Sequence, residues 1–594
     1  SMPTAKPSRF RLPPDVRPTL YDLHLVPDLA AGTFTGEVQT TVTLAKPRSE
    51  IVLHATALQI ESASVRIGRE ELKAKTRLVA ADETVQLAFP RRVPAGEATL
   101  VLRWRAKLSH HLRGFYAASA AGKPYAFTQC EAADARRVMP CFDEPSFKAR
   151  FRIAVTAKDG DAVVSNGPIE AEERLDGGRR IVRFAPTPPL STYLLAVAVG
   201  PLEASPERRL GSTPIRVWHV PGKSHLAAFG LEAGYEALKR LEDYFGIPYP
   251  YGKLDLIAVP DFEAGAMENA GAVFFRETLL LLDPATASLA ERKRAAEVIA
   301  HELAHMWYGD LVTMAWWDDL WLNEAFATWM AYRVVNDWRP EWRMWEGFEH
   351  DRAGALAMDA LTNTHPIYAE VRSVAQATEN FDMITYEKGA AVVRMLEHYL
   401  GADTFREGVR LYMRRHRESN TVAADLWKAL EEASGREVAR VAQAWITQAG
   451  FPLVVFGPAT GTGPVTIKVR QERFFADVKV PPARRRARWP VPLVVRSDHA
   501  GETRVERFLV DKASDTITLP ATAPCAWYFG NAEAGGFYRV LHDPANRAVL
   551  VGQLRGALSA VERLALAGDQ WALVRAGRAT IESFLDVADA LGEE

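Results

Sequence analysis

The chain has 594 residues, 48% hydrophobic and 25% charged, with a formal net charge of −2. That length gives several domains, each able to bury a core, and the composition is that of a globular protein. The charge balance argues against nucleic acid or an anionic membrane as a partner, and three cysteines (Cys130, Cys141, Cys525) are too few for a disulfide framework.

Sparse thiols favour a reducing compartment. The start of the chain lacks the apolar core of a signal peptide, and no run reaches the length of a membrane span, so a cytoplasmic location is expected. Ser1 ahead of Met2 reads as an added residue, which leaves room for a trimmed targeting segment.

Residues 1–218 read as an all-β domain, with strands at Tyr21–Val26, Glu37–Leu44 and Phe151–Val155. Ser224 to Phe245 predicts an amphipathic helix stopped at Gly246, and helices dominate from there to about Ala449. Within this second domain, 219–450, the segment Phe262–Gly271 contains Gly265-Ala266-Met267-Glu268-Asn269, whose small residues allow another backbone to approach; Val273-Phe274-Phe275 then reads as a strand. Glu291 to Tyr308 reads as one helix, with Ala295, Val298, Ile299 and Met306 at helical spacing and Gly309 as its stop. Asp310 to Trp317 is a connector, and a second helix begins near Trp321. Gly389 to Tyr399 is amphipathic. Residues 451–543 return to short strands, at Val465–Val469, Val491–Val495 and Arg504–Val510, and suggest a small β-sandwich. Arg484-Arg485-Arg486-Ala487-Arg488 follows Pro481-Pro482 and reads as a solvated loop. Pro544 opens a last helical stretch, 544–594.

The helix at Glu291–Tyr308 carries His301-Glu302-Leu303-Ala304-His305, and Asn323-Glu324 follows in the next helix. Histidines at i and i+4 project from one helical face, so both imidazoles can reach one Zn²⁺ while Glu302 points toward its water. Glu324 is placed to supply a third ligand from a neighbouring antiparallel helix. Three protein ligands leave a position open, which is the pattern of a catalytic rather than a structural site.

With the Gly-x-Met-Glu-Asn element beside it, this motif resembles the aminopeptidase N family of zinc metallopeptidases. The resemblance implies that the backbone of Gly265–Asn269 pairs with substrate as an added strand and that Glu268 binds its free α-ammonium. Gln129-Cys130-Glu131, leading into Ala135-Arg136-Arg137 and Cys141–Pro145, is similar to the family segment that reaches into the active site. By that match Glu131 is a second carboxylate for the ammonium and Gln129 lines the pocket of the first side chain. Phe381 to Gly389 resembles the segment holding the catalytic tyrosine, so Tyr386 would donate to the oxyanion. Departures are Ala325, where the family often has Gly, and Ala331, where it often has an acid; neither removes a ligand.

The expectation is a multidomain α+β chain: an N-terminal β domain, a thermolysin-like and mostly helical catalytic domain, a small β-sandwich, and the start of a C-terminal helical domain. That last domain is short for the family and reads as truncated or as leaving an open cleft. The implied activity is removal of N-terminal residues from peptides with a free amine, using one Zn²⁺ per chain held by His301, His305 and Glu324, with Glu302 as general base. A monomer is favoured, with no membrane or nucleic-acid partner. The alternatives are the related epoxide-opening branch, whose members lack the β-sandwich, and scaffold relatives that have lost zinc residues retained here.

Overall fold

Alternation of apolar and polar residues sets the first sheet. Along Thr33–Leu44 every second side chain is buried, the mark of an antiparallel strand with one face on a core. The computed structural model describes residues 11–262, 264–379 and 382–592, so Glu263 and Phe381 of the motifs above lie outside the described residues. The chain divides into two units, each described by itself: residues 1–317 with 371–379 and 413–422, and residues 318–370 with 380–412 and 423–594.

In the first unit Val16–Asp28 pairs antiparallel with Thr33–Leu44 and parallel with Arg150–Lys158, at the centre of an eight-stranded sheet. The hairpin between the first two closes at Gly32, whose φ of 69° suits glycine. Tyr21 is buried there, stacked on Phe151 with ring centroids 4.9 Å apart, and its hydroxyl accepts the Phe142 N–H at 3.1 Å. A four-stranded sheet ends one of its strands, Lys123–Gln129, at the residue expected to line the substrate pocket.

A third sheet turns parallel through Thr213–His219, Leu254–Val259 and Ala272–Arg276. All six residues of Leu254–Val259 are buried, as a parallel strand covered on both faces requires. The two-residue strand Ala266–Met267 pairs antiparallel with Phe275 and Phe274 and forms one edge of this sheet. The expected helix after Ser224 begins at Ala228, following a 3₁₀ turn at Ser224–Leu226, and ends at Gly246 with φ 66°.

In the second unit the helices Leu320–Trp338, Met344–Asp359, Gly389–Leu400, Ala423–Ser434 and Ala439–Thr447 precede two sheets. These are the four-stranded sheet containing Pro452–Phe456 and Val465–Arg473 and the three-stranded sheet centred on Val491–His499, as the strand pattern led one to expect. The Arg484 run forms an exposed 3₁₀ turn, Pro482–Arg486. Pro544–Gly552, capped by Asp543, opens the last helices. Among the described residues no helix is long and apolar enough to cross a membrane.

Candidate metal centre and peptide-binding edge

A capping box starts the helix of the histidine motif: the Ser288 hydroxyl accepts from the Glu291 N–H, and the Glu291 carboxylate accepts from the Ser288 N–H. The helix runs from Leu289 to Ala304, not to Tyr308 as its periodicity suggests. His305 is the first residue beyond it. Met306 and Trp307 continue as turns, Tyr308 forms an isolated bridge with Val312, and the Asp310 N–H reaches back to the His305 carbonyl at 2.9 Å. Gly309, with φ 124°, lets the chain reverse where a side chain would be strained.

His305 is fully buried and Glu302 nearly so, while His301 is half-buried. His305 Nδ1 lies 3.1 Å from the Tyr308 carbonyl, an acceptor only, so Nδ1 carries a proton and Nε2 is the ring nitrogen that faces the site. That Nε2 is 3.2 Å from His301 Nε2 and 3.0 Å from Glu268 Oε2. The potential ligand atoms of His301, Glu302 and His305 all lie within 4.8 Å of one another. Imidazole nitrogens and carboxylate oxygens this close in a buried place need a proton or a metal cation between them. The donor set, imidazole nitrogen with carboxylate oxygen, suits Zn²⁺.

Glu268 and Asn269 are buried just past the edge strand. Both polar atoms of the Asn269 amide are buried without a hydrogen-bond partner among the described residues, and so is Gln129 Oε1. Orphaned groups of this kind normally await a ligand or water. Glu131 follows Gln129 by two residues and is half-buried.

Within the protein itself, the close backbone approach in this segment falls at Gly271, while the space above Gly265 is open. A Cβ at Gly271, where φ is 75°, would lie 2.1 Å from the Asn166 carbonyl oxygen; one at Gly265 would meet only Leu279, at 3.5 Å. Asn166 Nδ2 donates to the Ala270 carbonyl at 2.8 Å and Lys253 Nζ to that of Gly271 at 2.9 Å, which fixes the end of the segment.

Two residues at the metal helix were not foreseen. Lys148 Nζ donates to the carbonyls of Asp310 and Leu311, both at 3.1 Å, and so holds the reversal after the histidines. Burial pushes its ammonium down to about 7. Asp310 is fully buried, and both its carboxylate oxygens lack a hydrogen-bond partner among the described residues. Burial and the neighbouring Glu268 push its carboxyl well above the usual range, against His305 and Lys148. Neither residue sits in a motif, and only the fold brings Lys148 to this loop.

In the second unit Glu324 is half-buried in the second turn of Leu320–Trp338, as the sequence suggests. Tyr386 is half-buried in one turn of π-helix, Ile384–Lys388, that leads into Gly389–Leu400.

Residues 229–445 match the peptidase family M1 domain and residues 17–194 the peptidase M1 N-terminal domain. Aminopeptidase M1-A of Oryza sativa subsp. japonica is 38% identical over 98% of this chain and 67% of its own length. The chain belongs to peptidase family M1. It is thus a peptidase, a hydrolase of peptide bonds, and the resemblance to the aminopeptidase N family holds. Residues 527–594 of this M1 peptidase match an ERAP1-like C-terminal domain. Aminopeptidase M1 of Arabidopsis thaliana is 36% identical over 98% of the chain and 68% of the relative. The puromycin-sensitive aminopeptidase of Caenorhabditis elegans is 36% identical over 100% and 63%.

Proposed function

We propose that this M1 peptidase is a zinc-dependent aminopeptidase, with Zn²⁺ held by His301, His305 and Glu324, one ion per chain. The observation that carries the metal site is the approach of His305 Nε2 to both His301 Nε2 and Glu268 Oε2, at 3.2 and 3.0 Å, with Nδ1 already committed to Tyr308. Zn²⁺ at such a site supplies Lewis acidity, which acidifies water and polarises a carbonyl.

The chain's own groups do the rest. Glu302, in the last turn of the metal helix, accepts the proton of the attacking water and returns it to the leaving amine. Tyr386 donates its phenolic hydrogen to the oxyanion. The edge strand Ala266–Met267 gives its outer side to an extended peptide, which adds as a further strand. Glu268 and Glu131 receive the α-ammonium, Asn269 lies beside Glu268, and Gln129 lines the pocket of the first side chain. Holding the amine there brings only the first peptide bond to the metal, which makes the enzyme an exopeptidase. The names of the relatives support this reading. We keep the four domains as read above, with boundaries near 218, 450 and 543, together with cytoplasmic residence and a monomer.

A peptide α-amine, with a pKa near ~8, is mostly cationic at neutral pH and suits two carboxylates. N-acetylated peptides are therefore expected to be very poor substrates. Glu268→Ala should lower kcat/KM for free-amine peptides by at least about tenfold to a hundredfold, since a charge-assisted contact is worth about 1.5–3 kcal/mol. Mass spectrometry of one peptide, free and acetylated, checks both; internal cleavage of the acetylated form at a comparable rate would make the enzyme an endopeptidase. Tyr386→Phe should lower kcat by about 10²–10³ with KM little changed, because one oxyanion donor is lost. Steady-state kinetics giving a change in KM alone would assign Tyr386 to binding instead.

A further inference from the structure

A phenol that donates to an oxyanion has to be held within a fraction of an ångström, yet Tyr386 sits on a π-turn, the least regular kind of helical turn. Its near end is tied locally. The Tyr386 N–H donates to the Asp382 carbonyl and the Thr385 N–H to Asp382 Oδ1, both at 3.0 Å. The other carboxylate oxygen of Asp382 faces His365 Nε2, and His365 Nδ1 lies 2.7 Å from the Pro366 carbonyl.

The far end of the turn is tied by an ion pair without solvent. Lys388, its last residue, and Asp359, the last residue of the helix Met344–Asp359, are both 0% exposed. Lys388 Nζ is 2.8 Å from Asp359 Oδ2 and donates to the Gly450 carbonyl at 2.9 Å. Asp359 Oδ1 accepts from the Thr364 hydroxyl at 2.6 Å and the Gly450 N–H at 3.0 Å. Three separate stretches of chain thus converge on one charge pair.

The next residue shows what the pair presses against. A Cβ on Gly389 would lie 3.1 Å from the Ala325 Cβ and 3.4 Å from the Trp321 ring, so the turn meets the helix that carries Glu324 with no space to spare. A buried ion pair is a poor way to gain stability, because desolvation of both charges offsets their attraction, and apolar residues of the same size often do as well. Its best use is to specify one geometry.

We propose that Lys388 and Asp359 are positioning residues that fix Tyr386 relative to the Glu324 helix. The inference rests on the reading of Tyr386 as oxyanion donor. Breaking the pair leaves the phenol in the protein but lets its turn move, so the loss appears in turnover rather than in substrate binding.

The experiment is a cycle of Lys388→Met and Tyr386→Phe, each measured for kcat, KM and bound zinc. Lys388→Met alone is expected to lower kcat by about tenfold to a hundredfold, with KM within about threefold and zinc retained. In the Tyr386→Phe background the same change should lower the residual kcat by less than about threefold, because the group it positions is already gone. Lys388→Met strands a buried carboxylate and can destabilise the fold, so Asp359→Asn with Lys388→Met, which leaves no unpaired charge, is measured beside it and should show the same kcat loss. Equal losses with and without Tyr386 would overturn the proposal, as would full kcat in the doubly neutral variant. A Tyr386→Phe enzyme with unchanged kcat would instead remove the oxyanion reading, whatever Lys388 does.

Discussion

Glu302→Gln is expected to lower kcat by about 10²–10⁴ while leaving metal content at that of wild type. Glutamine keeps the shape of the side chain, so the helix end and the two imidazoles should not move. What disappears is the proton acceptor: a neutral amide cannot take the proton from water or return it to the leaving amine. The position magnifies the loss, since Glu302 is only 7% exposed and bulk solvent cannot easily substitute for it. A fluorogenic aminoacyl substrate measures the rate, and metal analysis of the same sample measures occupancy. A variant within tenfold of wild type would show that another group is the base.

His305→Ala should abolish both metal binding and activity, and Glu324→Ala should do the same. Two remaining protein ligands hold Zn²⁺ poorly, so affinity should fall by well over about 10²-fold, more than loss of a supporting outer-shell contact costs. The loss has a readout independent of catalysis. An ion that binds only the folded chain stabilises it by about 4 kcal/mol when its concentration is a thousand times Kd. A chelator should therefore lower the Tm of wild type and leave that of His305→Ala unchanged. Full zinc occupancy in either variant would remove that residue from the ligand set.

The metal motif was readable because its meaning is local. Two imidazoles four residues apart share a helical face in any helix, and Ser288 and Glu291 start that helix by contacts three residues apart. The strand segments Tyr21–Val26 and Glu37–Leu44 were legible for the same reason, as burial follows their alternation, though both strands begin earlier in the structure. Where the metal helix ends was not legible. His305 to Tyr308 continue the apolar pattern, but the chain breaks after Ala304, and the reversal is held from a distant segment by Lys148. The Lys388–Asp359 pair was hidden likewise: no local spacing joins the two charges, and only the fold removes both from water. The crowding at Gly271 was hidden too, because the Asn166 carbonyl that it meets comes from a distant part of the chain.

The early end of that helix has an electrical consequence. Aligned peptide dipoles leave roughly half a negative charge at a helix C-terminus, and the effect fades within the last turn. Had the helix run on to Tyr308, only His305 would stand in its final turn, and His301 would lie in its interior, beyond most of that field. Because it stops at Ala304, His301 stands in the final turn and His305 immediately after it. The backbone itself then adds negative potential beside the two imidazoles, so a divalent cation is drawn to this place by main-chain atoms that no side-chain substitution can remove.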